Sequence, residues 1–149
     1  NLGSSKKHVH DEIGINSRLD TLQALILSKK IPFLKDLNIK RKKIADFFNK
    51  NIKSKKITKL KYSKNAVFHQ YVIIVKDRKK LIDSLKKNKI QYGFHYPFAI
   101  HQLDVFKKNF RKEKFKNSEM LAKYGISIPI NPLLTNKEVS YIISKLNSF

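Results

Sequence analysis

Cysteine and tryptophan are absent from this sequence of 149 residues, and glycine is scarce. Without cysteine the chain has no disulfide framework and no thiolate zinc site, which suits a reducing compartment, so we expect a cytoplasmic protein. The four glycines stand at positions 3, 14, 93 and 125, too scattered for a glycine-rich phosphate-binding loop. Disulfide-rich secreted domains and phosphate loops of that type are therefore excluded.

Long hydrophobic runs are missing as well. No stretch approaches the roughly 18 to 20 uninterrupted apolar residues that a membrane-spanning helix needs, and no signal peptide is visible. Hydrophobic residues nevertheless make up 41% of the chain, enough for one domain with a core. Because the first residue is asparagine rather than methionine, we expect these residues to belong to a longer protein.

Positive charge dominates the composition, with 33 lysines and arginines against 11 acidic residues and a net charge of +22. Such a balance is typical of nucleic-acid-binding proteins. Only four of the basic residues are arginines, which are favoured for phosphates and base edges, and the lysines form no confined block. We interpret the charge as a solvated, compositionally biased surface. A basic non-enzymatic module that binds nucleic acid or another polyanion stays as the alternative.

The spacing of apolar residues indicates a helical first third of the chain. From Leu19 to about Ile52 they recur at helical intervals, which predicts a helix, a break or kink at Ile31-Pro32 and a second long helix. The basic stretch 53–64 is predicted to be an exposed connection. The segment VFHQYVIIV at 67–75 is rich in β-branched and aromatic residues and is the clearest strand.

Further elements are predicted in the middle of the chain. Asp77 is expected to cap a short helix that ends near Asn88. Apolar residues alternate at 89–97, which predicts another strand that Pro97 terminates. Together these segments predict a strand–helix–strand unit.

The C-terminal segment carries clear helix signals. Ser118 is predicted to cap a short helix that Gly125 ends, and a brief strand follows in ISIPINP. Thr135 and Glu138 form a capping box for a last helix. The predicted fold class is α+β, with a long helical arm followed by a small sheet and helices packed against it.

The five histidines match no metal-ligand spacing, so we predict no metal site. His69, inside the predicted strand, is interpreted as a core or edge histidine with a hydrogen-bonded ring. His95 and Tyr96 stand at a predicted strand end before Pro97, where polar tips face a cleft more readily. The residues alone leave a structural and a functional role for this pair equally open.

A polar cluster in GINSRLDTLQALIL, at positions 14–27, precedes the first predicted helix. In one interpretation Asn16 or Ser17 caps the helix and Asp20 lies in its first turn, where the helix dipole favours an acid. In the other, Asn16 and Arg18 project from a helix N-terminus and form an anion site. Residue types alone slightly favour the first interpretation.

Four motifs, taken in order, resemble one family. They are GINSRLDTLQALIL, the His69-x-Tyr71 of FHQYVIIV, HYPFAIHQ at 95–102 and SEMLAKYGISIPINPLLTNKEV at 118–139. They resemble the C-terminal part of the DegT/DnrJ/StrS-type sugar aminotransferases, which use pyridoxal phosphate to aminate keto groups on nucleotide-linked sugars.

The resemblance implies a part of a fold-type I aminotransferase. Residues 1–52 would be an inter-domain segment and long helical arm, and residues 53–149 the small C-terminal α+β domain with a mainly antiparallel sheet. The large cofactor-binding domain would be missing from these residues. The chain would then be a fragment of a longer enzyme.

The resemblance also implies roles for four residues in a homodimer. Asn16 would reach the cofactor phosphate of the partner subunit, and Arg18 would lie near the nucleotide sugar. His95 and Tyr96 would line the substrate pocket of the partner. The implied substrates are a nucleotide-linked keto sugar and glutamate or glutamine as amino donor, in amino-sugar synthesis for surface polysaccharide.

Two departures from the family pattern matter. Family members often have a second proline after His-Tyr-Pro, where this chain has Ala99, so the substrate loop is expected to differ. The Schiff-base lysine belongs to the large domain. We therefore expect no catalytic residue here, no turnover by these residues alone, and pyridoxal phosphate bound only in the full-length enzyme. Relatives with histidine in place of that lysine dehydrate the sugar, so a dehydratase stays as a further alternative.

Overall fold

A computed structural model describes residues 4–6, 9–10, 19–103, 106, 108, 110 and 113–149. The helices are α1 (Thr21–Lys30), α2 (Leu34–Asn51), α3 (Arg78–Lys87), α4 (Lys116–Tyr124) and α5 (Asn136–Asn147), with 3-10 turns at Ile31–Phe33 and Ile100–Gln102. The strands are β1 (Ser4–Lys6), β2 (Val9–His10), β3 (Ile57–Lys59), β4 (Tyr71–Val75) and β5 (Gly125–Ile128). In this part of the chain, no helix has the length and apolar character needed to span a bilayer.

The chain divides into two compact units, residues 1–36 and residues 37–149. In the first unit, β1 and β2 pair antiparallel, with Ser4 opposite His10. The predicted break at Ile31-Pro32 is confirmed, because a 3-10 turn over Ile31–Phe33 separates α1 from α2. Proline is tolerated at the first positions of such a turn, where its missing N–H has no partner to lose.

Helix α1 begins later than the sequence predicts. Its N-cap is Asp20, whose carboxylate accepts hydrogen bonds from the backbone N–H of Leu22 at 2.9 Å and of Gln23 at 3.3 Å. The prediction that Asn16 or Ser17 caps this helix is therefore wrong. Aspartate is as good a cap as asparagine or serine, so composition alone did not distinguish among these polar residues.

The second unit is built on a three-stranded antiparallel sheet with β4 in the middle. Ile57 of β3 lies opposite Val75, and Tyr71 lies opposite Ile128 of β5. Alternate residues of β4 are buried, and they join buried residues of α2, α3 and α5 in one core. The core includes Phe48, Ile73, Leu81, Leu85, Ile126, Ile142 and Leu146. The predicted α+β class is confirmed.

Tyr71 is the largest side chain in this core and is fully buried. Its hydroxyl donates a hydrogen bond to Oδ1 of Asn49 at 2.6 Å, and its ring lies 5.1 Å from that of Phe48. Burial raises the pKa of Tyr71 strongly, and the neighbouring Tyr62 raises it further. The neutral phenol is thus the form that this core accepts.

The strand predicted at 67–75 is wrong at its beginning, since β4 starts only at Tyr71. Phe68 has a φ of 51°, in the left-handed region that an extended strand does not contain. The predicted exposed connection at 53–64 also contains strand β3. That short strand escaped prediction because it has a single buried residue, Ile57, among lysines.

The strand predicted at 89–97 is also wrong. This segment pairs with the sheet through a single backbone bridge among the described residues, between Gly93 and Ser127. Lys89 has a φ of 55°, which turns the chain after α3, and the N–H of Ile90 donates to the carbonyl of Leu85. The apolar alternation reflects packing against the core rather than a strand, so the strand–helix–strand unit is not formed.

Local helix signals fare better. Asp77 caps α3, and the Thr135–Glu138 capping box of α5 is confirmed. Gly125 ends α4 as predicted, but Ser118 lies inside that helix rather than at its cap. The N-cap residue is Phe115, which makes no side-chain capping hydrogen bond, and its N–H donates to Oε1 of Glu119 at 3.1 Å.

Candidate functional site

A cleft of about 520 Å³ lies in the second unit. It is formed by α2, by the chain just before β4, by the segment 91–95 and by the segment that follows β5. Its nitrogen-bearing side chains are Arg41, His69, Gln70, Gln91, His95 and Asn131. Two imidazoles, three amides and one guanidinium make the cleft a site rich in hydrogen-bond donors.

The His95 side chain contacts the sheet through its ring. Its ring nitrogen Nδ1 lies 2.9 Å from Oγ of Ser127 on β5. Gly93, two residues earlier, makes the backbone bridge to Ser127. The structure therefore places His95 at a cleft, although the strand end that the sequence predicted there is not formed.

Tyr96 has a different surrounding. It is 74% exposed, and its ring meets the His95 ring edge-on with centroids 5.8 Å apart. Phe98 and Ile100 beside it are exposed as well. Tyr96 thus borders His95 on the surface and is not part of the cleft lining.

The interpretation of His69 as a core or edge histidine is wrong. The residue is exposed and lines the cleft together with Gln70. The left-handed backbone of Phe68 ends the extended chain there, and the Phe68 side chain is buried in place of His69. Sequence reasoning that treated 67–75 as one continuous strand missed this turn.

Arg41 is a cleft residue that the sequence analysis did not single out. It lies on α2, half-buried, and its Nη1 donates to Oδ1 of Asn38 at 3.1 Å. Its rarity as one of four arginines was the available signal. Arg41 supplies the formal positive charge of the cleft lining.

Arg78 supports the segment that carries His95. Its guanidinium donates to the carbonyl oxygens of Ala122 at 2.8 Å and Gly125 at 3.2 Å, at the end of α4. The same group lies 4.7 Å from the ring centroid of Phe94. One side chain therefore connects α3, the α4–β5 junction and the residue before His95.

The other predicted site residues, Asn16 and Arg18, lie outside the described residues. Their implied roles stay predictions. Of the remaining histidines, His101 pairs through Nε2 with Oε1 of Glu119 at 3.1 Å and stacks near Phe115, away from the cleft lining.

Lysines gather elsewhere. A groove of about 680 Å³ near the end of β4 is lined by Lys55, Lys56, Lys76 and Lys80, with Asp77 as its acidic residue. The Lys56 ammonium donates to the backbone oxygen of Phe149. The histidine cleft is lined by no lysine and no carboxylate among the described residues.

This donor set decides how pyridoxal phosphate could be held. The cofactor needs a lysine amine for its aldehyde. Because the cleft lining offers no lysine, its described residues do not fit the cofactor by themselves. They fit a neighbouring role, the binding of polar or anionic groups.

The sequence matches the DegT/DnrJ/EryC1/StrS aminotransferase family over residues 1–147. Over its full length it is 34% identical to the dTDP-3-amino-3,6-dideoxy-alpha-D-galactopyranose transaminase of Aneurinibacillus thermoaerophilus, and the match covers 41% of that protein. Over 98% of its length it is 26% identical to the UDP-2-acetamido-2-deoxy-3-oxo-D-glucuronate aminotransferase of Pseudomonas aeruginosa, and the match covers 41% of that protein.

A solved structure has the same fold. The structure of a DegT DnrJ EryC1 StrS aminotransferase from Brucella abortus matches this chain with a TM-score of 0.84 and 26% sequence identity. The match covers 99% of this chain and 40% of the Brucella chain. The chain therefore spans about two fifths of the length of the relatives that it matches.

Proposed function

Because the chain belongs to the DegT/DnrJ/EryC1/StrS aminotransferase family, we propose that it is the C-terminal part of a pyridoxal-phosphate-dependent aminotransferase. The enzyme would aminate a nucleotide-linked keto sugar, with glutamate or glutamine as donor, in amino-sugar synthesis for surface polysaccharide. The observation that carries the proposal is the family match over residues 1–147 in a chain whose His95 lines a donor-rich cleft.

The nucleotide and the sugar stay at the level of a class. The names of two relatives contain dTDP in one case and UDP in the other. Both name a transamination of a sugar, which favours the aminotransferase over the dehydratase alternative. We propose residues 1–52 as the inter-domain segment and helical arm, and residues 53–149 as the small domain.

Each site residue would act by binding. Pyridoxal phosphate, held by a lysine outside these residues, would supply the carbonyl chemistry that moves the amino group. Asn16 would contact the phosphate of the partner subunit's cofactor in a homodimer, and Arg18 would contact the nucleotide sugar. His95 and Tyr96 would bind the sugar, with Arg41 adding positive charge toward its anionic part.

The absence of a lysine from the cleft implies a further property. The 149-residue chain alone should have no aminotransferase activity, because its cleft does not fit the cofactor by itself. The activity would belong to a polypeptide that also contains the large domain. The chain covers 41% of the Aneurinibacillus transaminase, which leaves room for such a domain.

The test begins with the gene. The frame that encodes residue 1 is read upstream, and we expect a large domain with a lysine in a serine-led loop. The encoded polypeptide is then loaded with pyridoxal phosphate and assayed with keto sugars on dTDP and UDP, with glutamate and glutamine as donors. The 149-residue chain, assayed in parallel, is the negative control.

Three outcomes would contradict the proposal in different ways. A histidine at the lysine position together with sugar dehydration would favour the dehydratase. An unrelated upstream domain would contradict the proposal that the protein is an enzyme of this family. Tight binding of the chain to nucleic acid, with a salt slope equal to several phosphate contacts, would favour the polyanion-binding module.

A further inference from the structure

The His95 ring is hydrogen-bonded to a buried hydroxyl. Ser127 lies on β5 and is only 7% exposed, and its Oγ lies 2.9 Å from Nδ1 of His95. Buried hydroxyl groups are almost always hydrogen-bonded. Within the described residues, the imidazole nitrogen is the side-chain partner of this hydroxyl. The pair therefore connects the sheet to a side chain of the cleft.

The direction of the hydrogen bond follows from what each group can donate. A serine hydroxyl has one hydrogen that needs an acceptor, and a neutral imidazole has one nitrogen that accepts. If Nδ1 carried the ring hydrogen, the hydroxyl hydrogen would have no acceptor among the described residues. Donation from the hydroxyl to Nδ1, with the ring hydrogen on Nε2, is the arrangement that gives the hydroxyl hydrogen an acceptor among the described residues.

Gly93 leaves room for the ring. Its N–H donates to the carbonyl oxygen of Ser127 at 3.0 Å, and the N–H of Ser127 donates back at 2.8 Å. A Cβ atom at position 93 would lie 2.9 Å from Cε1 of His95. The glycine thus lets the imidazole lie against the backbone that the bridge holds in register with Ser127.

We propose that Ser127 and Gly93 are positioning residues that hold His95 in one orientation and in the Nε2–H tautomer. The cleft then presents Nε2–H as a hydrogen-bond donor to an oxygen atom of its ligand. The ligand's identity, a hydroxyl or keto oxygen of the sugar, rests on the proposed function. The orientation and the tautomer rest on the geometry alone.

The experiment uses the polypeptide that the gene encodes, labelled with ¹⁵N and ¹³C in its histidines and glycines. Long-range ¹H–¹⁵N spectra under neutral-imidazole conditions report the tautomer, and His95→Gln assigns the signals. We expect His95 in a single Nε2–H form with a hydrogen-bonded Nδ1. We also expect a strong nuclear Overhauser effect between its Hε1 and the Hα of Gly93, because Cε1 lies against that residue.

Two variants disturb the ring in different ways. Ser127→Ala removes the hydroxyl, and we expect the Nδ1 signal to lose its hydrogen-bonded shift and the Overhauser effect to fall by about half or more as other rotamers are sampled. Gly93→Ala keeps the hydroxyl but displaces the ring, so it should also abolish the Nδ1 shift. Ser127→Thr keeps the hydroxyl and should retain the wild-type pattern.

Matched controls stay within the same unit. Ser140→Ala removes a serine hydroxyl from the exposed face of α5 and should leave His95 unchanged. His69, in the same cleft, is the internal reference. An Nδ1–H tautomer in the wild type, or an unchanged His95 in Ser127→Ala, would overturn the inference.

Kinetics separate this inference from the proposed function. In the full-length enzyme, loss of one oriented hydrogen bond in Ser127→Ala should raise KM for the sugar about three- to tenfold and leave KM for the amino donor unchanged. An altered ring with an unchanged sugar KM would overturn the assignment of the sugar oxygen. If the spectra behave as expected but no nucleotide sugar is aminated, the positioning role stands and the proposed function fails.

Discussion

Helix α1 and the sheet-containing unit use their apolar residues in opposite ways. No residue of α1 is buried, and Leu22 is 65% exposed, although half of the helix residues are apolar. In the second unit, Phe48, Tyr71 and Leu146 have no exposed surface. The second unit therefore contains the core that stabilises it, whereas the described residues give α1 no such core.

The contrast shows which part of the sequence encodes a fold by itself. Apolar side chains stabilise a structure only in proportion to the surface that they remove from water. An exposed apolar helix is a surface for association. In the proposed enzyme, α1 would be covered by the large domain or the partner subunit. The contrast can be tested by making the same change in both regions.

The largest expected effect comes from removing a phenylalanine ring. Phe48→Ala should reduce the free energy of unfolding of the second unit by about 3–5 kcal/mol, because it leaves a cavity beside Tyr71. Phe33→Ala, at a position 62% exposed in the first unit, should change it by less than about 0.5 kcal/mol. Urea unfolding monitored by tyrosine fluorescence measures both.

Phe47→Ala is the matched control on the same helix. Phe47 is the neighbour of Phe48 but is exposed, so its loss tests whether ring removal from α2 matters without burial. Equal losses in Phe47→Ala and Phe48→Ala would contradict the assignment of the core to the second unit. An effect of Phe33→Ala as large as that of Phe48→Ala would remove the contrast between the units.

A smaller effect concerns the buried phenol. Tyr71→Phe should lower the free energy of unfolding by about 1–2 kcal/mol at neutral pH, because the Asn49 oxygen loses its hydrogen-bond donor. Burial raises the pKa of Tyr71 above its ordinary value of 10.0, so the folded state retains a proton that the unfolded state releases. The contribution of Tyr71 to the free energy of unfolding is therefore fully present below about pH 10 and falls as the pH rises further.

The phenylalanine variant lacks this alkaline loss, so the gap between variant and wild type should narrow above about pH 10. The difference between the two proteins isolates Tyr71 from the deprotonation of the many lysines, which affects both. Tyr141→Phe, at an exposed tyrosine of α5, is the control and should parallel the wild type. A constant gap at all pH values would show that Tyr71 ionises normally.

Short-range signals in the sequence predicted the helices well. The Ile31-Pro32 break, the Asp77 cap and the Thr135–Glu138 box depend on residues within one helical turn, and all are confirmed. The first part of the strand predicted at 67–75 and the whole strand predicted at 89–97 failed because left-handed residues, Phe68 and Lys89, turn the chain there. Neither is a glycine, so composition gave no warning.

The site was predictable in part for a related reason. His95 could be named from its motif and its place before a proline. Its support could not, because Ser127 is 32 residues away and meets it only after β5 pairs with Gly93. A serine and a glycine at these positions have no signature of their own in a single sequence. Side chains that act through another residue become visible only when the chain is folded.

The smallest expected effect compares one capping device in both regions. Asp77 accepts the N–H of Lys80 at 3.2 Å at the start of α3, and Asp20 accepts the N–H of Leu22 at 2.9 Å at the start of α1. Asp77→Ala should lower the unfolding free energy of the second unit by about 1 kcal/mol. Asp20→Ala should leave that transition unchanged.

The second half of the expectation is that Asp20→Ala lowers the helical signal in far-ultraviolet circular dichroism before unfolding begins. A helix without a core of its own depends more on its cap, since little packing opposes the fraying of its first turn. Asp20→Asn and Asp77→Asn keep a capping oxygen and should restore both measurements. If Asp20→Ala instead shifts the main unfolding transition as much as Asp77→Ala does, α1 unfolds cooperatively with the sheet, and the two units are one folding unit.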